Sequence, residues 1–422
     1  MKTKAVRIYG ENDLRLEEFE LPVLKDDEVL LKVISDSVCM SSYKAAIQGA
    51  KHKRIPNDVA ENPTIIGHEF CGEIVEVGSV WADKYKKGER VSIQPALNDP
   101  SDIYKAVGYS FKYIGGDATY VIVPREVIDF GCLLKYTGDA FFYGSLSEPM
   151  ACNIGGAHTS YHTVPGKYVH EMGIKMGGKM AILAGAGPMG LGAIDYAIHC
   201  DRHPSMLVIT DVDDTRLARA AKIYSPEDAK KFGVDLHYVN TGKCDDPVKA
   251  LRDLTDGKGF DDVFVFAPVR PVVEQGDAIL GRDGCLNFFA GPTDKQFSAK
   301  MNFYDVHYNS THVMGTTGGN TADMIESLEL TASGRIDPAV MVTHIGGLDA
   351  AAETTLNLPK IPGGKKLIYT HLTMPLTALT DLRAKGAEDA RFTALADIVD
   401  AHNGLWCPEA EEYLLANFQQ HD

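Results

Sequence analysis

Over the first third of the chain, apolar and polar positions alternate in short runs: KAVRIYG, DLRLEEFE, EVLLKVISDSV, CGEIVEVG, GERVSIQP and DATYVIVP. A period of two, punctuated by Gly and Asp, predicts the short strands of a compact β-barrel from residue 1 to about 125. From about residue 178 the rhythm changes. The apolar runs MAILAG, MLVITD, LHYVN, DDVFVFAP, CLNFFAGP and THVMGT are separated by helical stretches, which predicts parallel β-α-β units and a doubly wound sheet. After about residue 318 come a helix in TADMIESLELTASG, a strand in MVTHIGG, the run GGKKLIYTHL, and a final fifty residues rich in helix formers. The expected fold is therefore α/β, a β-barrel followed by a doubly wound parallel domain.

One stretch breaks the pattern. In NPTIIGHEFCGEIVEVG, residues 62 to 78, His68 and Glu69 stand beside Gly67 just ahead of the alternation Ile74, Val75, Val77. Upstream lies Cys39 in SDSVCMSSYK and downstream Glu148 in GSLSEPMAC. Thiolate, imidazole and carboxylate all bind Zn2+, and a set with few permanent protein ligands leaves a position for water or substrate, as catalytic sites do. Singly, Cys39 reads as a small buried hydrophobe, His68 as a satisfied core histidine, and Glu69 and Glu148 as surface acids. Together they point to a metal.

A second signal lies in MAILAGAGPMGLGAIDYAI, where Gly185, Gly187 and Gly190 make G-x-G-x-x-G around Pro188 and Met189, after an apolar strand and before a helical pattern. The first glycine allows a tight turn, the second lets the backbone approach a pyrophosphate, and the third lets helix pack on strand. Asp211 follows Gly190 by 21 residues, where a carboxylate accepts from a ribose 2′-OH and repels a 2′-phosphate. Arg216, five residues on, is a partner for that phosphate, a stacking surface for adenine, or simply solvated. NAD(H) is expected over NADP(H). The alternative is an ordinary strand-to-helix turn.

Charge narrows the partners. With 42 Lys plus Arg against 58 Asp plus Glu, a net charge of −16, the chain repels nucleic acid and anionic membranes. No signal peptide or spanning segment is apparent, and eight scattered cysteines without a C-x2-C pair suit a reducing, cytoplasmic setting. Against that acidic background GAKHKRIP is the densest basic run, with Lys51, His52, Lys53 and Arg54 twelve to fifteen residues after Cys39. It is either a solvated face or a site for a substrate phosphate, with Lys44 and Lys112 as further candidates.

The GHE at 67 to 69 followed by Gly72 and Gly78, the early Cys39, the Glu148-Pro149 pair and the nucleotide fingerprint resemble the zinc-dependent medium-chain dehydrogenases, over residues 1 to about 370. Within them GYSFKYIGGDATYVIVP, the long stretch after Glu148, DGCLNFFAGPTDKQFSAKMNFYDVHY and GTTGGNTADM are similar to the polyol branch and to bacterial L-sorbose 1-phosphate reductases. The resemblance implies a GroES-like catalytic domain at 1–158, completed by 319–422, and a Rossmann domain at 159–318. It implies one catalytic Zn2+ on Cys39, His68 and Glu69, with Glu148 as a fourth or exchanging ligand, and a homodimer or homotetramer. Ser41 keeps the hydroxyl that contacts the substrate oxygen in that family. Ser42 stands where it has an acid behind the metal ligands, Lys44 where it has a relay histidine, and Trp81 where it has a small residue. The four close cysteines of a structural zinc are absent.

The implied activity is hydride transfer between NAD(H) and a ketose phosphate or polyol phosphate, converting L-sorbose 1-phosphate to D-glucitol 6-phosphate. An unphosphorylated polyol such as sorbitol is the alternative substrate, and a non-catalytic nucleotide-binding protein of the same fold the alternative from another class.

Overall fold

The computed structural model describes residues 1–418 and divides into two compact units. One comprises Met1–Glu148, Asn320–Gly334 and the chain from Pro338 onward; the other comprises Pro149–Gly319 and Arg335–Asp337. No helix among the described residues is long and apolar enough to cross a membrane.

In the first unit, β1 (Lys2–Gly10) and β2 (Asp13–Glu20) form an antiparallel hairpin turned at Asn12, whose φ of 56° a short polar side chain tolerates. β3 (Val29–Ser37) is followed by α1 (Met40–Gln48), β4 (Thr64–Ile65), β5 (Phe70–Val77), β6 (Arg90–Ile93), β7 (Tyr120–Val123) and β8 (Leu133–Lys135). Inward-facing Val29, Leu31, Val33, Ile74, Val91 and Val121 meet in one core, the alternation of the sequence made physical. α2 (Phe141–Thr159) carries Glu148 and continues into the second unit at Pro149.

There β9 (Lys179–Leu183), α3 (Pro188–His199), β10 (Met206–Asp211), α4 (Asp214–Ile223), β11 (Asp235–Asn240), β12 (Phe260–Val265), β13 (Leu280–Phe288) and β14 (His312–Met314) build a six-stranded sheet in the order β11-β10-β9-β12-β13-β14. Every pair is parallel, and the strand order reverses direction at β9, the doubly wound arrangement that binds ligands beyond the strand ends. Its core gathers Ala181, Leu183, Val208, Val263, Val265 and Leu286, so the central strands read as continuous apolar runs.

The chain then returns to the first unit. α5 (Thr321–Ala332) precedes β15 (Val342–Gly347), β16 (Lys365–Tyr369) and β17 (Thr377–Ala378), which extend the barrel sheet in the order β17-β15-β16-β3-β5-β6-β8, with β7 also on β3. Two helices, α6 (Ala390–Ala401) and α7 (Pro408–Asn417), end the described chain. Buried Glu411 of α7 accepts the backbone N–H of Phe141 at 2.6 Å and of Phe142 at 2.8 Å, so the last helix caps the first turn of α2. The final fifty residues, obscure in the sequence, thus pack on the helix that bears Glu148.

Candidate active site

Cys39 is the N-cap residue of α1, which places Ser41 and Ser42 in the first turn of that helix. His68 and Glu69 lead into β5 from Gly67, whose φ of 95° and crowding require glycine: a Cβ there would sit 2.5 Å from the Asp117 nitrogen. The donor atoms of Cys39, His68 and Glu69 all lie within 4.8 Å of one another.

The ring of His68 is fixed from behind. Ser42 Oγ lies 3.1 Å from Nδ1, which leaves Nε2 facing Ser41 Oγ at 3.2 Å and the Tyr109 hydroxyl at 3.3 Å. Ser41 Oγ also donates to Cys39 Sγ at 3.0 Å, so thiol, imidazole and hydroxyl converge. A neutral hydroxyl at Ser42 therefore holds the imidazole nitrogen remote from the other donors, an orienting contact common behind metal-binding histidines.

Glu69 is held by charge. Lys365 Nζ, from the first residue of β16, donates to its two carboxylate oxygens at 2.5 and 2.7 Å; Ser37 Oγ donates to it as well, and its backbone N–H donates to Asp36 Oδ1 at 3.0 Å. Burial works against the Glu69 anion, but the Lys365 ammonium and His68 outweigh it and keep its pKa below the ordinary value. Burial likewise opposes the Lys365 charge, and Glu69 more than offsets that. Burial and then the Glu69 charge push Glu148 up to about 7. Burial pushes the Cys39 thiol up and the His68 imidazole down. The site thus offers one neutral imidazole, one thiol, one anchored carboxylate and one acid poised to change charge near neutrality. That donor chemistry fits Zn2+.

At the second unit the glycines differ in what surrounds them. A Cβ on Gly190 would fall 1.9 Å from the Gly185 oxygen, whereas one on Gly187 meets nothing within 4 Å, which leaves open space where a pyrophosphate would approach. Gly187 caps α3 with no side-chain bond, with Pro188 and Met189 opening the helix. Asp211 ends β10, buried, its Oδ1 accepting the N–H groups of Val212 at 2.8 Å and Asp213 at 3.1 Å. Arg216, exposed on α4, lies 3.8 Å from the capping residue Asp213.

The basic run separates on folding. Lys51 pairs with Glu11 at 2.5 Å, and Lys53 sits over the ring of Tyr104 at 5.1 Å. Arg54 lies 5.2 Å from the Tyr109 ring centroid, and His52 stacks on the same ring. Arg54 therefore shares Tyr109 with His68, while Lys51 is tied elsewhere. Lys112 reaches Asn62 at 3.5 Å, and Lys44 lies on α1. Trp81 serves the barrel itself, because its indole N–H donates to the Asp27 carbonyl at 2.8 Å while the ring packs on the barrel core.

Lys365 and Tyr109 are not singled out by the sequence pattern. The signal for Lys365 is two lysines opening an apolar strand, since a buried ammonium needs a buried carboxylate. Tyr109 lies in GYSFKYIGG, where nothing local marks it as a neighbour of His68.

Family models match both parts of the chain: "Alcohol dehydrogenase GroES-like domain" over residues 25–130 and "Zinc-binding dehydrogenase" over residues 188–333. The mannitol-1-phosphate 5-dehydrogenase of Aliivibrio fischeri is 52% identical over 414 residues, 98% of this chain and 97% of that protein. The L-sorbose 1-phosphate reductase of Klebsiella pneumoniae is 49% identical over 419 residues, 98% of each chain. Among solved structures, the 2R,3R-butanediol dehydrogenase of Bacillus subtilis matches with a TM-score of 0.69 at 24% identity, covering 87% of this chain and 99% of that one, a likeness of fold.

Proposed function

The chain belongs to the zinc-binding dehydrogenases of the polyol dehydrogenase type, and from that premise we propose that it transfers hydride between NAD(H) and a hexitol phosphate or its ketose phosphate, with L-sorbose 1-phosphate as the substrate of first choice. The observation that carries the phosphorylated substrate is Arg54, the one member of the basic run whose cationic group shares an aromatic ring, Tyr109, with the candidate metal ligand His68. Two relatives at about half identity, a reductase and a dehydrogenase, are both named for hexose or hexitol phosphates.

Cys39, His68 and Glu69 would hold the catalytic zinc, with Glu148 within electrostatic reach as an exchanging ligand. When bound, zinc acts as a Lewis acid on the substrate oxygen and stabilises the charge that develops there. Ser41 Oγ, beside Cys39 Sγ and His68 Nε2, would give the substrate oxygen its proton on reduction and take it back on oxidation. Ser42 holds the imidazole in one orientation, and Lys365 holds the Glu69 carboxylate. In the second unit Gly187 and the start of α3 would receive the pyrophosphate, with Asp211 on the adenosine ribose and Arg216 left to solvent. Arg54 would take the phosphate through charge-assisted bonds, while Lys51 stays on Glu11. Because that phosphate sits on C1, next to the C2 carbonyl, but takes no part in the hydride transfer itself, its binding would orient the reacting carbon, and losing it should reduce kcat as well as raise KM.

The test is kcat/KM for L-sorbose 1-phosphate and mannitol 1-phosphate against L-sorbose and sorbitol, with NADH or NAD+, in the native protein and in R54A and K51A. The phosphorylated compounds should lead by at least about a hundredfold, some 2.8 kcal/mol. R54A should erase most of that lead and K51A little of it. Equal rates on free sugars would replace the phosphate reading with that of a plain polyol dehydrogenase.

A further inference from the structure

A second cluster of metal-ligating side chains lies in the turn between α6 and α7, on residues that the catalytic reading does not use. The donor atoms of His402, Cys407 and Glu409 lie within 4.8 Å of one another. His402 Nδ1 lies 3.0 Å from the Ile398 carbonyl oxygen, a contact only a protonated nitrogen can make by donating. In the neutral ring Nε2 then carries the lone pair, and it lies 3.4 Å from Glu409 Oε2. An imidazole whose far N–H is fixed on a backbone carbonyl is oriented as metal-binding histidines are.

Cys407 is the N-cap residue of α7, buried, with no side-chain capping bond to the helix. Glu409 is exposed and His402 is too, which gives a cation a way in. A carboxylate cluster would suit Ca2+ or Mg2+, whereas one sulfur, one imidazole nitrogen and one carboxylate oxygen suit a borderline d-block cation in tetrahedral geometry. We propose that His402 Nε2, Cys407 Sγ and a Glu409 oxygen form a second metal site, for Zn2+ or a similar thiophilic divalent cation, with its fourth position open to water. The expectation of a single zinc rested on the missing four-cysteine cluster, and this site does not need one. Burial, with the Glu409 charge, holds the free thiol up at about 11, so binding replaces the S–H bond with a metal–sulfur bond and sends the proton to solvent. No redox change is involved. Occupied, the site would tie α6 to α7, the helix whose Glu411 caps α2.

The test starts from C39A, which removes the thiolate of the catalytic set, so that a thiolate-to-cobalt charge-transfer band reports other cysteines. Co2+ added to C39A should give that band, and C39A/C407S should lack it. Zinc retained after gel filtration should fall from about two ions per chain in the native protein to about one in H402Q/C407S, with dehydrogenase activity kept. Circular dichroism checks that each variant is folded, and H402Q alone, which leaves the buried thiol in place, should weaken cobalt binding at least about tenfold. One zinc per native chain, or a cobalt band that survives the Cys407→Ser change in C39A, overturns the proposal.

Discussion

Lys365 and Glu69 form a buried ion pair joining β16 to the residue before β5, positions 296 apart in the sequence. Removing one partner of such a pair leaves an uncompensated charge, which typically costs about 3–5 kcal/mol. K365M should therefore destabilise the metal-free protein strongly, and Zn2+ should recover much of the loss, because a cation on Glu69 replaces the missing ammonium. Thermal midpoints with and without zinc decide this. Equal destabilisation in both states would mean that Glu69 never meets the metal. Asp211 can be judged at the same scale. With Oδ1 committed to its own loop, the other oxygen is the one available to a ribose hydroxyl, and D211S should lower the NADH-over-NADPH ratio of kcat/KM by about tenfold. A ratio that does not move would remove Asp211 from cofactor choice. Residues of this kind divide by legibility. Cys39, His68 and the three glycines were readable because their types are costly in the patterns around them. Lys365 was not fully readable, since its partner comes from a distant strand.

Among the elements, the strands of both units were legible as periods of two and as apolar runs, because burial on one face or two leaves those marks. The terminal helices were visible only as composition. Their packing depends on Glu411 reaching Phe141 and Phe142, about 270 residues upstream, and on the Tyr369 hydroxyl donating to Glu411 at 3.0 Å while Trp406 Nε1 donates to that hydroxyl at 2.7 Å. No local pattern encodes such a meeting. E411A should unsatisfy two N–H groups at the start of α2, that of Phe142 buried, and cost about 1–3 kcal/mol. Because α2 carries Glu148, kcat should fall with it, while E411Q, which can still accept at its carbonyl, should retain more of both. A variant that loses stability with kcat unchanged would separate the cap from the site.

For the whole molecule, the sum of buried titrations sets how stability responds to pH. Burial raises Asp117 from 3.8, and Glu148 and Glu411 from 4.5, to about 7, so each favours the fold most below its unfolded value and loses that contribution as pH climbs toward 7. His162, despite burial, is raised above 6.5 by Asp262 and then Asp283, and His199, again despite burial, by Asp195. Their contribution is complete below 6.5 and disappears as pH rises through their folded values. Burial lowers His52 and His344 to about 4, the opposite case: their contribution is complete above 6.5 and lost as pH falls toward 4. Between about pH 4.5 and 6.5 the raised acids and the lowered histidines, His68 among them, oppose each other. Above 6.5 the lowered histidines are silent while the raised groups still lose stability, and the net charge of −16 at pH 7 adds self-repulsion in the same direction. The thermal midpoint of the chelator-treated chain should therefore be nearly level from pH 5 to 6.5 and fall from 6.5 to 8, with H162Q flattening part of that fall. Calorimetry across the range tests it, and a midpoint that rises above pH 6.5 would show that the His162–Asp262 and His199–Asp195 pairs do not carry charge in the folded state.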